Sequence, residues 1–173
     1  ERKLNPSNLI IADLEEPVAI AGVMGGLDSE IMHNTTTVLL ESANFNSKSV
    51  RLTAKGLNLR TEASARYEKG IDPNLCEIAA ERACQLIEEI GVGKVIKGKM
   101  DVYKNIAKEK TIELKPKNVN NLLGIELSSQ QMLDYLERLE LKTSVDKHNT
   151  IKVTVPTYRL DLNIEADLIE EIG

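Results

Sequence analysis

Aromatic side chains are scarce, at 3% of 173 residues, with no Trp and a single Phe. Any core must therefore be aliphatic, and Ile, Leu, Val and Ala are plentiful enough to build one. Cysteine is nearly absent too. Cys76 and Cys84 lie eight positions apart on what reads as one helix, which separates their Cα atoms by roughly 12 Å, beyond disulfide reach. They read as small hydrophobes of a reducing cytoplasm. Apolar runs such as Val18–Met24 fall far short of a membrane span, and no signal-like hydrophobic segment opens the chain. A soluble, cytoplasmic protein with no membrane partner is expected. Positive charge is not in excess either: the formal net charge is −5, which argues against a surface that coats nucleic acid but leaves room for a local basic patch, or for one module of a larger RNA-binding enzyme. P-loop, zinc-spaced Cys/His, GxSxG and dinucleotide fingerprints are all missing.

Periodicity and turn chemistry divide what is present into two units. In the first, Asn8–Asp13 and Pro17–Val23 are short β-rich runs around a charged turn, and Gly25-Gly26 breaks the pattern. Thr36–Ser42, with continuous Val and Leu, reads as a third, buried strand. Asn46 or Ser47 caps a helix through Lys55 that Gly56 stops. Residues 57–70 read as loop plus a helical turn. Pro73 opens a helix to Ile90 with Leu75, Ile78, Ala79, Ala83, Leu86, Ile87 and Ile90 on one face, ended by Gly91. Residues 92–107 have the Gly- and Lys-rich look of a linker, with a strand candidate at Lys94–Ile96.

The second unit begins near Thr111. Ile112–Leu114 is a strand closed by Pro116, and Val119–Leu123 a helical turn ended by Gly124. Ser128–Leu139 is the best-specified helix. Ser128 and Gln131 make a capping box, Leu127 and Met132 have the spacing of a hydrophobic staple, and Met132, Leu133, Leu136 and Leu139 form its buried stripe. Lys142–Val145 and Ile151–Val155 are strands around a His148-Asn149 turn, and a last helix begins near Asn163. The fold class is α/β of the α+β kind: a partial mixed-sheet domain over 1–106, then a small winged-helix-like α+β domain over 107–173 ending in an acidic helix.

Three segments carry chemistry. Gly22–Gly26 follows a strand, where glycines let a backbone approach a ligand and present amides to a carbonyl or phosphate oxygen, or simply make a tight turn. Glu41 ends an apolar strand, either facing solvent or serving as a recognition group, and the polar segment Arg60–Ser64 has the same two readings. Asp167, Glu170 and Glu171 share a helix side at i,i+3 and i,i+4 spacing, near Asp161. Like charges so placed cost about 0.2–0.5 kcal/mol per pair. A hard cation or basic partner would remove that penalty, and a solvated acidic face is the other reading.

Taken together, AIAGVMGGLDSEI (19–31), TTVLLESANFNSKSVR (36–51) and GLNLRTEASARYEKGIDP (56–73) resemble the editing domain of bacterial phenylalanyl–tRNA synthetase β subunits. VPTYRLDLNIEADLIEEIG (155–173) resembles the end of the next small domain of the same subunit. The resemblance implies that Gly25, Glu41 and Thr61 line a pocket that hydrolyses tyrosine wrongly attached to phenylalanine tRNA. Tyr differs from Phe by one hydroxyl, which a carboxylate or hydroxyl partner can select. The ester is already activated, so positioned water and oriented donors suffice without a side-chain nucleophile. The resemblance also implies Mg²⁺ ligation by Asp161, Asp167, Glu170 and Glu171 near an α subunit. It further implies an αβ heterotetramer that charges phenylalanine tRNA using ATP, and places no aminoacylation residue in this chain. The family's pocket draws on a histidine from an earlier half of its domain, and neither His33 nor His148 stands at that place. A chain opening on Glu1 and closing at Gly173 reads as an excised piece, inactive by itself. The alternative reading is a stand-alone nucleic-acid-binding or interaction module without catalysis.

Overall fold

The two units differ sharply in how much apolar surface they bury. A computed structural model describes residues 1–173, which divide into compact units Glu1–Asp101 and Val102–Gly173. The class is α+β, with two three-stranded sheets and six α-helices. Both sheets are antiparallel throughout, so the first unit's sheet is not mixed.

In the second unit the two periodicities agree on one core. Strand β4 (Lys110–Leu114), helices α4 (Pro116–Leu123) and α5 (Ser129–Arg138), strands β5 (Lys142–Val145) and β6 (Ile151–Val155), and helix α6 (Glu165–Ile172) follow in order. This is the winged-helix-like sequence of elements read from the chain. β6 is the central strand, paired to β4 and β5. Its Ile151, Val153 and Val155 are buried and Lys152 is exposed, the alternation of a sheet with one covered face. Val119, Met132, Leu136, Leu162, Leu168 and Ile169 complete the core from the helices and loops. Ser128 caps α5 with the reciprocal Gln131 bond. Leu127 packs against the core that Met132 enters, as the staple requires. Pro116 opens α4 rather than merely closing β4, and Gly124 ends it at φ +68°. Leu139 does not join the stripe: it caps α5 half-exposed, and Leu141, two residues on, fills the core instead. Glu140 takes a left-handed φ of 61° there, which turns the chain and swaps which leucine points inward.

In the first unit β1 (Ile10–Ala12), β2 (Pro17–Ile20) and β3 (Met24–Gly25) make a small meander. β2 stops at Ile20, before the expected Val23, because Ala21–Val23 form the turn into β3. A one-turn 3-10 helix spans Leu27–Ser29. α1 (Ser47–Gly56) is capped by Asn46, whose side chain accepts from Ser49 N. Its stop is Asn58, at φ 48°, rather than Gly56. α2 (Glu62–Tyr67) condenses from the segment read as loop plus helical turn, and α3 (Leu75–Glu89) ends at Gly91 with φ +73°.

Three expectations fail here for related reasons. Thr36–Ser42 is not a strand: a strand needs a neighbour to accept its backbone bonds, the only sheet of this unit is β1-β2-β3, and Leu39 is fully exposed. The end of this segment and the chain after it are held by side chains, with Ser42 Oγ donating to Cys76 O at 2.7 Å and Asn44 Nδ2 to Ile71 O at 2.6 Å. Lys94–Ile96 joins no sheet and is irregular, with Val95 N donating to Glu88 Oε1 at 3.2 Å. The apolar face of α3 exists as drawn, yet none of its residues is buried, and Leu75, Ile78, Leu86 and Ile90 are all exposed. Amphipathicity made the helix legible but did not supply the surface that covers it.

This asymmetry gives a direct test by denaturant unfolding. Leu136→Ala should cost about 2–5 kcal/mol through cavity formation, whereas Ile78→Ser should stay within about 0.5 kcal/mol, as at an exposed position. Equal costs at the two positions would contradict this account of the cores.

Candidate functional site

The turn at Ala21–Val23 is tightly constrained. Gly22 sits at φ +68°, and a Cβ there would meet Val50 at 2.9 Å, Phe45 at 3.0 Å and Tyr67 at 3.3 Å. Both the dihedral and the crowding demand glycine. Gly26 is confined differently, because a Cβ would lie 2.7 Å from the Val18 carbonyl oxygen, the same oxygen that accepts from Gly26 N at 2.7 Å. Gly25, between them, has nothing within 4 Å of its missing Cβ. Of the three, Gly25 is the one whose bareness leaves room beside the backbone. The sequence motif showed glycines, but only the contacts assign each its reason.

Thr61 is pulled to this turn. It is the N-cap of α2 and forms a capping box with Ser64. Its hydroxyl accepts from Ser64 N at 3.1 Å and donates to Val23 O at 2.7 Å, across 38 residues of chain. Behind the turn, the Phe45 and Tyr67 rings stand with centroids 5.1 Å apart at 60°. Tyr67 donates its phenol to Ala43 O at 3.1 Å. Burial pushes the Tyr67 phenol above its ordinary range, and the nearby Glu41 charge adds to the effect. Glu41 lies two residues before Ala43, whose carbonyl accepts from Tyr67, and is exposed without a hydrogen bond or ion pair of its own. The segments bearing Gly25, Thr61 and Glu41 therefore meet around the Phe45–Tyr67 pair, although 36 residues separate Gly25 from Thr61 in sequence. Phe45 and Tyr67 were not legible as site residues, whereas Gly22 and Ser64 fell inside the segments Gly22–Gly26 and Arg60–Ser64 without a role of their own. Phe45 and Tyr67 left only a trace, as aromatics in a chain nearly free of them. His33 is exposed in a loop, and His148 is exposed at the tip of the β5–β6 turn.

The acidic end is organised by a cation that the chain itself supplies. Arg159, largely buried, donates to Asp161 at 2.6 Å and to Glu171 at 2.7 Å. The guanidinium holds the Asp161 carboxyl below its usual range. Asp167 accepts from Asn163 N at 2.6 Å and Ile164 N at 2.9 Å, which caps α6 from its third position and lowers its own pKa. Glu170 is exposed. Carboxylates are the right donors for Mg²⁺, but no three acidic or imidazole groups are gathered as a metal would need. Of the four acidic residues, Asp161 and Glu171 share Arg159, Asp167 caps α6, and Glu170 faces solvent.

The B3/4 domain model matches residues 1–92 and the tRNA synthetase B5 domain model matches residues 112–173. The chain belongs to the B3/4 domain family and carries a B5 domain after it. Over all 173 residues it is 46% identical to the phenylalanine–tRNA ligase β subunit of Clostridium tetani, covering 22% of that subunit. It is 48% identical over the same residues to that of Moorella thermoacetica, covering 21%, and 42% to that of Geobacter metallireducens, covering 22%. The chain thus spans about a fifth of the length of the curated relatives it matches. No helix is long and apolar enough to cross a membrane.

Two outcomes follow from this geometry. Gly22→Ala should destabilise the first unit by about 1–3 kcal/mol through strain and overlap, while Gly25→Ala leaves its thermal midpoint unchanged; calorimetry on both variants checks the contrast. The lowered carboxyls of Asp161 and Asp167 contribute stability above the ordinary aspartate value of 3.8 and lose it as pH falls below that. Melts of the second unit should therefore soften below that pH, and Asp167→Asn should shrink the drop. A pH-independent midpoint down to about pH 2 would contradict the linkage.

Proposed function

We propose that this chain is part of a phenylalanine–tRNA ligase, and that its first unit contributes to hydrolytic removal of tyrosine from phenylalanine tRNA. The observation that carries the reading is that the segments bearing an open glycine, a free carboxylate and a fixed threonine converge on one aromatic pair. Glu41 has no partner within the chain, so its carboxylate is available to accept from a substrate phenol. Phenylalanine lacks that hydroxyl and would leave the carboxylate unpaired when desolvated, which is how such a site discriminates. Gly25 offers backbone beside open space, suited to the close approach of an aminoacyl ester. The Thr61 hydroxyl already spends its proton on Val23 O, so its part is to hold the turn. Hydrolysis would rely on positioned water at an activated ester, without a side-chain nucleophile.

The same reading gives the parent enzyme ATP-dependent charging of tRNA in the cytoplasm, at a core outside this chain, within an αβ heterotetramer. The domains would run over 1–106, for editing, and 107–173. Mg²⁺ would engage Asp161, Asp167, Glu170 and Glu171 only in that assembly, with further ligands from the α subunit, and no step of the editing chemistry depends on it.

The test is deacylation of Tyr-tRNA(Phe) by the full β subunit assembled with its α partner. Glu41→Ala should slow Tyr release by about 10- to 100-fold, as for a lost charged hydrogen bond, and leave Phe charging near its original rate. Parallel loss of both activities would show that Glu41 is structural and would overturn its assignment.

A further inference from the structure

Ser64 is a polar side chain that the chain buries completely, and the reading above gives it no role. Both bonds of its hydroxyl go to Thr61: Oγ accepts from Thr61 N at 2.9 Å and donates to Thr61 O at 3.0 Å. The return bond, Ser64 N to Thr61 Oγ1 at 3.1 Å, occupies one lone pair of the threonine hydroxyl. Thr61 is β-branched and stiff at χ1, and with that lone pair engaged, its one proton is aimed at Val23 O. The Val23 side chain is packed with Val50 and Ala54, so a carbonyl released there would lose its partner in a poorly hydrated place.

The consequence falls on the glycine turn. Beyond Val23 the chain is held to β2 by a two-residue ladder, Ala19 to Gly25 and Ile20 to Met24, and by the Gly26 N to Val18 O bond. All of these lie on the β2 side. On the opposite side, the Thr61 bond to Val23 O is the tie to α2. The reciprocal Ser64–Thr61 bonds suffice for a helix cap, whereas the bond to Val23 reaches outside α2 to the residue that precedes Met24–Gly26.

We propose that Ser64 is a positioning residue: through Thr61 it holds the Val23 carbonyl, and so sets the pose of the Met24–Gly26 backbone against the substrate. The proposal rests on the editing function assigned above.

The experiment uses the full β subunit in its αβ complex and reads hydrogen–deuterium exchange together with Tyr-tRNA(Phe) deacylation. In Ser64→Ala, amides at 24–26 should exchange about tenfold faster, the scale of one lost hydrogen bond. Deacylation kcat should fall by a similar factor, with KM moving less. Thr61→Ser keeps the hydroxyl and should retain protection at 24–26, whereas Thr61→Val should lose it. The inference is overturned if Ser64→Ala loosens only residues 62–67 and deacylates at the original rate, which is a cap and nothing more. It is equally overturned if Thr61→Ser and Thr61→Val are alike. If Ser64→Ala fails to fold, the two Thr61 variants decide alone. A wild-type complex that does not release Tyr defeats the editing reading, while the exchange comparison still decides whether the relay holds the turn.

Discussion

One hydrogen bond, from the Thr61 hydroxyl to the Val23 carbonyl, joins the two parts of the first unit on which its candidate site depends. On one side is the β2–β3 turn, with Gly22 pressed under Phe45, Val50 and Tyr67. On the other is α2, whose start is defined by the Thr61–Ser64 capping box. The buried cluster of Val23, Val50 and Ala54 is small, so directional bonds take over work that apolar burial does in the second unit. The result is a well-placed patch of backbone inside a unit that otherwise leaves much aliphatic surface uncovered.

The second unit is built the other way, with specificity in its packing and its polar groups at the ends of elements. Alternation on β6 and the helical stripe on α5 point to the same interior, and local and global signals reinforce each other there. Its charges serve structure. Arg159 draws Asp161 and Glu171 together, and Asp167 caps α6. Of the helix's acidic groups, Glu171 is paired by Arg159 and Asp167 is taken up by backbone amides at the helix start.

Legibility followed the range of the interactions involved. The capping box of α5, the αL glycine after α4, the ends of α3 and the strands β5 and β6 depend on residues a few positions apart, and all were readable. The Thr36–Ser42 strand was not, because its apolar run has a strand's composition and no strand to pair with. The α3 face shows the same limit, since periodicity reports which side is apolar and not what lies against it. Leu139 and Leu141 exchanged roles through one left-handed residue, Glu140, which propensity does not signal.

By itself, then, the sequence determined the aliphatic character of the cores, the order and type of most elements, the glycine turn and the acidic helix, because composition and short-range spacing govern each of these. Which glycine is crowded and which is open, that Thr61 reaches Val23, that Tyr67 reaches the segment after Glu41, and that Arg159 pairs with Asp161 and Glu171 were decided only by the tertiary structure. Each of these joins residues that local spacing does not relate, or depends on which way a side chain turns. Such contacts form only when the elements have packed, since no local energy term selects a partner 38 residues away.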